Sequence, residues 1–482
     1  MVKGSALSSQ TERQDGREEE SYAIPLNILA GADGQDARSR GNLEVEPAKR
    51  TPTAGSANPL LGKDEPAPEP DVPLSASGTS EPYPEGGIRS WLVVLGCWLA
   101  LFASLGFMHI LATFQAYVAT NQTIRLGPAA IGGMISGYAF LSFLLGIYVG
   151  PLFDKYGPRW LVLGGTVCLV ASLVLASISS EYWHLLAALG VLSSLGTSLL
   201  FTPAIASIAH FFHHRRGLAI GVATTAGSLS GVVFPFTLEA LFRRVGWEWA
   251  MRALALICLA VTAAAAFLIR ARLPPAPDAT PHPHSKILRT KGFVPTVLAV
   301  ISAQFAAFIP LSYLSSYALS KGFSQAFSVY VIAILNASSA VGRVVAGWLA
   351  DRIGPFNANI GFAAIAALAC FGIWLPAGGS KPGLIIFAVV IGIASGSSVS
   401  LVPVAIGRLC KTQEYGRYYG TCYAVASLVV LLAIPVADKA VGGNKGAYWV
   451  LIVTTGVFYL VAVAAFAVAK VSVVGSRIWA AF

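Results

Sequence analysis

A nine-residue pattern occurs twice in this chain, and it constrains the fold more than any other feature. Residues 150–158 read GPLFDKYGP and residues 347–355 read GWLADRIGP, so both copies fit G-x-x-x-D-[KR]-x-G-P at a separation of 197 residues. Each copy lies between two long apolar segments. Repeats of whole helix bundles are typical of secondary transporters, which hold their substrate between the repeats. The repeat therefore predicts two related membrane halves.

The composition and the spacing of charges agree with a membrane protein. Of the 482 residues, 55% are hydrophobic and 12% are charged, whereas soluble proteins carry about 25% charged residues. A helix needs about 20 apolar residues to cross a bilayer. From Trp91 onward the sequence predicts an all-α membrane protein of twelve helices in two six-helix repeats, near 91–117, 130–152, 159–179, 184–210, 217–238, 249–270, 293–318, 325–350, 357–376, 383–406, 417–437 and 447–470.

The charges divide the chain into four parts. Residues 1–83 hold 14 of the 23 acids and 8 of the 33 bases, and they are predicted to form a disordered cytosolic tail. Residues 84–270 are predicted to form the first six-helix bundle, 271–292 a cytosolic linker that contains Pro and His, and 293–482 the second six-helix bundle and a short tail. After the tail, 9 acids and 25 bases remain. Most of these bases lie in the short loops between apolar segments, so the excess is better explained by the positive-inside rule for membrane proteins than by nucleic-acid binding.

The loop charges predict the orientation of the chain. The loops on the side of the repeated pattern hold thirteen bases, and the opposite loops hold seven. Both termini are therefore expected in the cytoplasm. Asn121 would face outward, as the one plausible N-glycan acceptor. We expect a multi-pass protein of the plasma membrane, with the vacuolar membrane as the alternative.

Few polar residues lie deep in the predicted helices, and these are candidates for substrate binding. Arg343 in the eighth helix is the clearest, because a charge in the bilayer is costly and its planar guanidinium suits a carboxylate. The alternative is that its long side chain reaches the membrane surface. His109 in the first helix is either a proton or substrate ligand, or a buried neutral imidazole. Gln115, Asn336 and Ser339 are weaker candidates for the same cavity.

The repeated pattern itself predicts a gate on the cytoplasmic side. Asp154 and Asp351 can accept hydrogen bonds from the N-termini of neighbouring helices, where negative charge is favoured. Lys155, Arg159 and Arg352 are expected to pair across the same face. These contacts would hold the inner gate closed and break as the halves rock.

Four glycines are expected to serve helix packing. Gly150 and Gly347 begin the two repeats, and Gly217 and Gly221 form a G-x-x-x-G pair in the fifth helix. A second such pair in that helix, at 227 and 231, is interpreted in the same way, because this spacing lets helix backbones meet closely.

The pattern at 150–159 resembles the helix 2–3 signature of the major facilitator superfamily. More narrowly, residues 84–470 resemble the monocarboxylate transporter family, above all its fungal members. Residues 84–91 are similar to that family's P-[DE]-G-G-x-x-x-W motif before the first helix. Residues 211–221 resemble its F-x-x-R-R-G-x-A-x-G run, and 342–347 match its helix 8 Arg-x-x-x-Gly element.

The resemblance implies the twelve-helix fold and a carrier for small organic acids. Animal members have an Asp where this chain has Ser339 and a Lys where it has His109, which weakens the case for lactate-type proton symport. No Asp or Glu lies deep in a predicted helix, so a coupling proton would ride on His109, on the substrate or on a peripheral acid.

The sequence therefore predicts a secondary active transporter that moves small, monocarboxylate-like organic acids by alternating access. The alternative is efflux of a weakly acidic or apolar secondary metabolite. The expected partners are a small-molecule substrate, with or without a coupling proton, and the lipid bilayer. No cofactor or metal is predicted. An enzyme is disfavoured, because the helices lack clustered His, Asp or Cys and the chain has no G-x-x-x-x-G-K-[ST] loop.

Overall fold

A computed structural model describes residues 83–120, 128–273, 285–377, 379–443 and 448–475. The chain divides into two units, and these residues lie in Leu74–Phe482. The other unit, Met1–Pro73, lies outside the described residues, as does the predicted acceptor Asn121.

The described residues contain no strand and form twelve long helices and two short 3-10 helices, at Ser285–Arg289 and Thr412–Glu414. Two helices contain a π-helical stretch, at Leu186–Leu192 and Cys370–Trp374. The helices are α1 (Gly87–Thr120), α2 (Pro128–Leu144 continued by Gly146–Tyr156), α3 (Pro158–Ile178), α4 (Tyr182–Ala209), α5 (216–245), α6 (247–268), α7 (Phe293–Ser320), α8 (Gln325–Ile353), α9 (Pro355–Ala377), α10 (Lys381–Ile406), α11 (Tyr415–Gly443) and α12 (Tyr448–Val474).

The boundary between α5 and α6 differs from the prediction. The sequence suggested a loop over 239–248, but helix runs through Arg216–Leu268 with a single non-helical residue, Gly246, at φ 73°. The ion pairs Glu239–Arg243 and Glu248–Arg252 join residues four apart and support helix on both sides of the break. Charges that suggested a loop therefore extend the helices.

The turn chemistry explains the end of each repeated pattern. Gly157 and Gly354 have φ of 75° and 88°, which glycine adopts without strain, and Pro158 and Pro355 open the helices that follow. The second and third helices of each half are therefore joined by one glycine.

The surface is that of a multi-pass membrane protein. Ten helical segments in the described residues are long and apolar enough to cross a bilayer, and the one over Arg216–Leu268 comprises both α5 and α6. Large apolar side chains such as Phe236, Phe267 and Leu368 lie on the outside. An apolar surface of this extent requires lipid around it.

The two halves meet along two pairs of helices. In one pair α5 of the first half packs on α8 of the second, and in the other α2 packs on α11. In each half the second helix therefore contacts the fifth helix of the other half. The candidate site lies on these two contacts.

Candidate functional site

The carboxylate of Asp154 joins the two halves near the end of α2. Its Oδ1 and Oδ2 accept hydrogen bonds from the backbone N–H groups of Gly416 (3.0 Å) and Arg417 (2.9 Å). These amides belong to the first turn of α11, where N–H groups lack partners within the helix and carry partial positive charge. Asp154 is only 7% exposed, so water competes little for this charge-assisted contact.

Asp351 makes the equivalent contact in the opposite direction. Its Oδ1 and Oδ2 accept from the backbone N–H groups of Gly217 (2.7 Å) and Leu218 (2.8 Å), in the first turn of α5. The surface that carries Asp154 and Asp351 is called the motif face below. The geometry is the one expected from the sequence; the opening of these contacts during transport stays a prediction.

Glycines let the helix backbones meet at these contacts. A Cβ on Gly217 would collide with the carbonyl oxygen of Gly347, and a Cβ on Gly347 would collide with that of Gly217. Gly150 lies in the same way against the backbone of Gly416, and Gly221 lies against the backbone of α8. All four glycines assigned to packing therefore lie where a side chain would separate the halves.

The bases beside the two acids do not pair across the motif face as expected. Lys155 lies over the ring of Tyr156 at 5.5 Å, Arg352 lies over that of Trp348 at 4.0 Å, and Arg159 is exposed. None of the three forms an ion pair with a described residue. The reason is that the backbone amides of the other half already occupy both carboxylates.

A buried base, counted in the sequence only as a loop charge, does cross between the halves. Arg216 donates from Nε to the carbonyl of Phe212 (3.1 Å) and from Nη1 to that of Gly407 at the end of α10 (3.4 Å). Its guanidinium also lies over the ring of Tyr415, 5.9 Å from the centroid. Gly407 and Tyr415 belong to the second half, so Arg216 bridges the motif face.

Glu85, in the segment before α1, binds the loop between α4 and α5. Its Oε1 accepts from the backbone N–H groups of His213 and His214 at 2.8 Å each, and Oε2 accepts from that of Arg215 at 3.2 Å. Glu85 has φ 47°, an uncommon conformation for a residue other than glycine. The P-E-G-G motif thus fixes the start of α1 on the turn into α5.

Tyr83 extends this contact to the second half. Its hydroxyl lies 2.9 Å from Thr412 Oγ1 and its ring stacks on His213, with centroids 5.2 Å apart. The guanidinium of Arg272 lies 4.9 Å from the ring centroid of Tyr83. Burial, together with the charge of nearby Arg216, lowers the pKa of His213 to about 4, so the stacked ring is neutral at pH 7.

Arg343 lies in α8 at the contact with α5. Its Nη1 donates to the backbone carbonyl of Thr224 in α5, and its Nε has no hydrogen-bond partner within the described part of the chain. A Cβ on Gly227 would lie 2.9 Å from Nη1, so the guanidinium fills space left by a glycine. The side chain points toward the other half of the protein and keeps donors with which an anion can bond.

His109 lies on α1 against the same stretch of α5. A Cβ on Gly231 would lie 2.8 Å from its Nε2. His109 and Arg343 are close enough to interact electrostatically. Gly227 and Gly231 are one turn apart, so α5 holds the guanidinium and the imidazole beside each other. The structure thus brings the two leading candidates together.

The remaining candidates are arranged around this pair. Ser339 is buried and accepts a long hydrogen bond from Ser228 of α5, 3.5 Å between the Oγ atoms. Asn336 is half-buried on the same face of α8, because positions 336, 339 and 343 repeat at helical spacing. Gln115 lies on α1, but its side chain is outside the described part.

Three contributors to the site were not predicted from the sequence. Gly227 and Gly231 were interpreted as packing residues, although they lie beside Arg343 and His109. Tyr423 of α11 lies near Arg343. The G-x-x-x-G spacing was a usable signal for the glycines, whereas nothing in the sequence relates Tyr423 to Arg343.

The chemistry of this arrangement is that of binding. A guanidinium can hold an anion through charge-assisted hydrogen bonds, and an imidazole can take up or release a proton. Among the described residues, no group of three His, Cys, Asp or Glu side chains could hold a metal ion.

Residues 96–434 match the family model of the Major Facilitator Superfamily. The chain belongs to this superfamily. Its members are transporters built from two helix bundles, which agrees with the two related halves described above.

Two fungal members of the superfamily are similar over most of their length. The aspyridones efflux protein apdF of Emericella nidulans is 33% identical over 403 residues, covering 82% of this chain and 81% of the relative. The fujikurins efflux protein of Gibberella fujikuroi is 33% identical over 408 residues, covering 84% and 86%. This chain therefore lies among fungal major facilitator transporters.

A solved structure shows the same fold. The superfamily transporter FucP, crystallised in the outward conformation, superposes with a TM-score of 0.62 at 19% identity, covering 78% of this chain and 97% of FucP.

Proposed function

We propose that this major facilitator transporter exports a weakly acidic secondary metabolite by alternating access. The observation that carries the proposal is Arg343, held between the halves beside His109 with a buried Nε that has no partner in the described part. The names of the two fungal relatives support export of secondary metabolites.

The motif-face contacts suggest how access alternates. Asp154, Asp351 and Arg216 tie the halves together on the face that the loop charges assign to the cytosol. An exporter would load its cargo when these contacts open and release it when they close. The same orientation would put the N-terminal segment of the chain inside the cell and Asn121 outside. An N-terminal tag should then be protected from protease added to sealed cells. Cleavage of the tag in sealed cells would mean that the orientation is the reverse.

His109 is the group proposed to carry a coupling proton. It lies beside Arg343, and a proton on the imidazole would oppose the neighbouring guanidinium unless an anion lay between them. Binding of an acidic cargo and protonation of His109 would therefore favour each other, so cargo and proton would move together as a symport. Export on this route runs down the outward gradient of the cargo, because an inward proton gradient would drive import. The cargo's own acidic proton is the other route.

A second candidate is a carrier for short monocarboxylates. The P-E-G-G motif bound at Glu85 and the Arg343 element favour it, because both resemble the monocarboxylate transporter family. Ser339 and His109 depart from its animal members. Direction and cargo size separate the two: a metabolite exporter moves larger acids out of the cytosol, whereas a monocarboxylate carrier moves short acids such as lactate.

The test uses the purified full-length protein in liposomes with a panel of labelled carboxylic acids and their neutral amides. Arg343→Ala should weaken binding of a transported acid roughly ten- to hundredfold, because one charge-assisted contact is worth about 1.5–3 kcal/mol. Arg343→Lys should retain part of the affinity, since it keeps the charge and loses the planar fork. Arg243→Ala, which removes an exposed base paired with Glu239, is the control.

Unchanged affinity in Arg343→Ala would remove the acidic-cargo proposal. A reconstituted protein that moves no acid of the panel in either direction would remove both candidate functions.

A further inference from the structure

A row of tyrosines runs along one face of α11. Tyr415, Tyr419 and Tyr423 are four residues apart and buried. The ring centroids of Tyr415 and Tyr419 are 5.8 Å apart and those of Tyr419 and Tyr423 are 4.7 Å apart. The row begins at the motif face and extends two turns toward the middle of the protein.

The rings that cover this row belong to the other half of the protein. Phe143 of α2 lies 5.5 Å from Tyr423, measured between centroids. Phe201 of α4 lies 6.1 Å from both Tyr419 and Tyr423. Separation of α11 from α2 and α4 would therefore uncover an aromatic surface on both sides of the opening.

Buried polar groups at this interface between α11 and the helices α2 and α4 suggest that the interface opens in another state of the transporter. The buried Tyr419 hydroxyl makes no hydrogen bond of good geometry in the described structure, although the Tyr423 hydroxyl lies close enough for a weak one. The Oγ of Ser104 is also buried without a partner in the described part, and Ser104 lines a cavity that Phe143 and Phe201 border. Buried hydroxyls without partners are unfavourable, so they are candidates for bonds made in another state or with a ligand.

The Tyr423 end of the tyrosine row lies toward Arg343, the proposed anion site. Leu105 Cδ1 and Arg343 Nη1 lie 2.7 and 2.9 Å from the position that a Cβ on Gly227 would take. Leu105 lines the cavity that Phe143 and Phe201 border. The Tyr423 ring packs on both of these phenylalanines. A cation therefore lies at one end of an aromatic surface. Aromatic surfaces favour planar ligands through offset and edge-to-face contacts.

We propose that the cargo is a planar aromatic or conjugated acid whose ring system binds Tyr419, Tyr423, Phe143 and Phe201 while its acidic group bonds to Arg343. This inference rests on the proposed function and names its substrate class. The tyrosine row lines the loading path, since it is uncovered when the motif face opens. An acid with a flexible aliphatic chain would use Arg343 but gain little from the rings.

The test compares two labelled monocarboxylates, trans-cinnamate and octanoate, with the full-length protein in liposomes. Tyr423→Leu and Phe201→Leu should raise the Kd for cinnamate about tenfold, which corresponds to about 1.4 kcal/mol, and change that for octanoate less than twofold. Phe236→Leu and Tyr330→Leu, at exposed positions on the outer surface, are the matched controls. The ratio of the Kd for cinnamate to that for octanoate within one variant separates a loss of ring contacts from a general loss of folded protein.

Tyr419→Phe and Tyr419→Leu separate the ring from the hydroxyl. Phe keeps the ring and removes a buried hydroxyl that makes at most a weak hydrogen bond, so the melting temperature should stay the same or rise and the Kd for cinnamate should change less than twofold. Leu removes the ring, so it should raise the Kd for cinnamate about tenfold and leave that for octanoate within twofold. Equal losses for both probes in all variants, or a wild type that moves octanoate and not cinnamate, would overturn the proposed class. Transport of neither probe nor any other acid would instead overturn the proposed function on which it rests.

Discussion

The two aspartates of the repeated pattern allow a quantitative prediction about the equilibrium between states. Each carboxylate accepts two backbone hydrogen bonds from a helix N-terminus of the other half, at 2.7–3.0 Å. Asp→Asn keeps one acceptor oxygen but removes the charge and turns an amide N–H₂ toward a backbone N–H. Hydrogen bonds to charged groups are worth about 1.5–3 kcal/mol and neutral ones about 0.5–1.5 kcal/mol. We therefore expect each substitution to cost the closed motif face about 2 kcal/mol.

This cost translates into populations. A loss of about 2 kcal/mol shifts the equilibrium toward the open motif face roughly 30-fold. The two contacts lie on different helix pairs and share no partner, so their effects should add, and the double variant should shift it by about 4 kcal/mol, roughly a thousandfold. The double variant should therefore populate the open motif face even when each single variant remains mostly closed.

The assay is a distance distribution between spin labels on His214→Cys and Lys411→Cys, exposed positions on opposite halves at the motif face. Cys168 and Cys410, the native thiols that are only partly buried, are first replaced by Ser. Glu239→Gln, which neutralises an exposed acid paired within α5, is the control and should leave the distribution unchanged. A double variant with the wild-type distribution and normal transport would refute the gate.

Three further predictions concern single side chains. Glu85→Gln should weaken the anchor on residues 213–215 and lower the melting temperature by a few degrees, since about 1 kcal/mol moves it by about 2–4 °C in a large protein, whereas Glu181→Gln, at an exposed position, should not. Gly231→Ala should displace the His109 ring and weaken acid binding roughly 2- to 10-fold, the effect of about 0.5–1.5 kcal/mol of rotamer strain, whereas Gly361→Ala, where a Cβ meets nothing within 4 Å, should be neutral. Burial and the nearby Arg216 lower the pKa of His210 to about 3, so the folded state resists its protonation and stability should fall as pH drops from about 6.5 toward 3. His210→Asn should reduce the fall in melting temperature between pH 7.5 and 5 and leave the part due to His213, whereas the exposed His214→Asn should not reduce it.

Features that depend on residue type and spacing could be predicted from the sequence. The repeated pattern predicted the acids at two helix N-termini, because a buried carboxylate needs donors and a helix start supplies them. Arg343 and His109 stood out since polar groups are rare in apolar runs. Gly246 was missed, because Glu239 and Arg243 resemble loop charges when their pairing within one helix is not seen.

Features that depend on how helices rotate against one another could not be predicted. The partner of Arg343 is the carbonyl of Thr224, and a backbone acceptor leaves no signature in a sequence. The same holds for Arg216, whose guanidinium reaches Gly407 across the motif face. Tyr423 is one of many aromatic residues in apolar helices, and only the packing of α11 brings it to Arg343.

One pair of helices carries both a motif-face contact and the proposed anion site at Arg343, so the proposal predicts that cargo binding is coupled to gating. On α8, Arg343 and Asp351 are eight residues apart, about 12 Å along the helix. Both bond to α5: Arg343 to the carbonyl of Thr224, and Asp351 to the amides of Gly217 and Leu218.

An anion that draws Arg343 away from the Thr224 carbonyl removes one of these bonds between α5 and α8. It thereby changes the free energy of the closed contact two turns away. A ligand shifts an equilibrium only by its differential affinity for the two states, and here the competing carbonyl supplies that difference. A neutral cargo would leave the Arg343–Thr224 bond in place, so this route from cargo to gate is open only to acids.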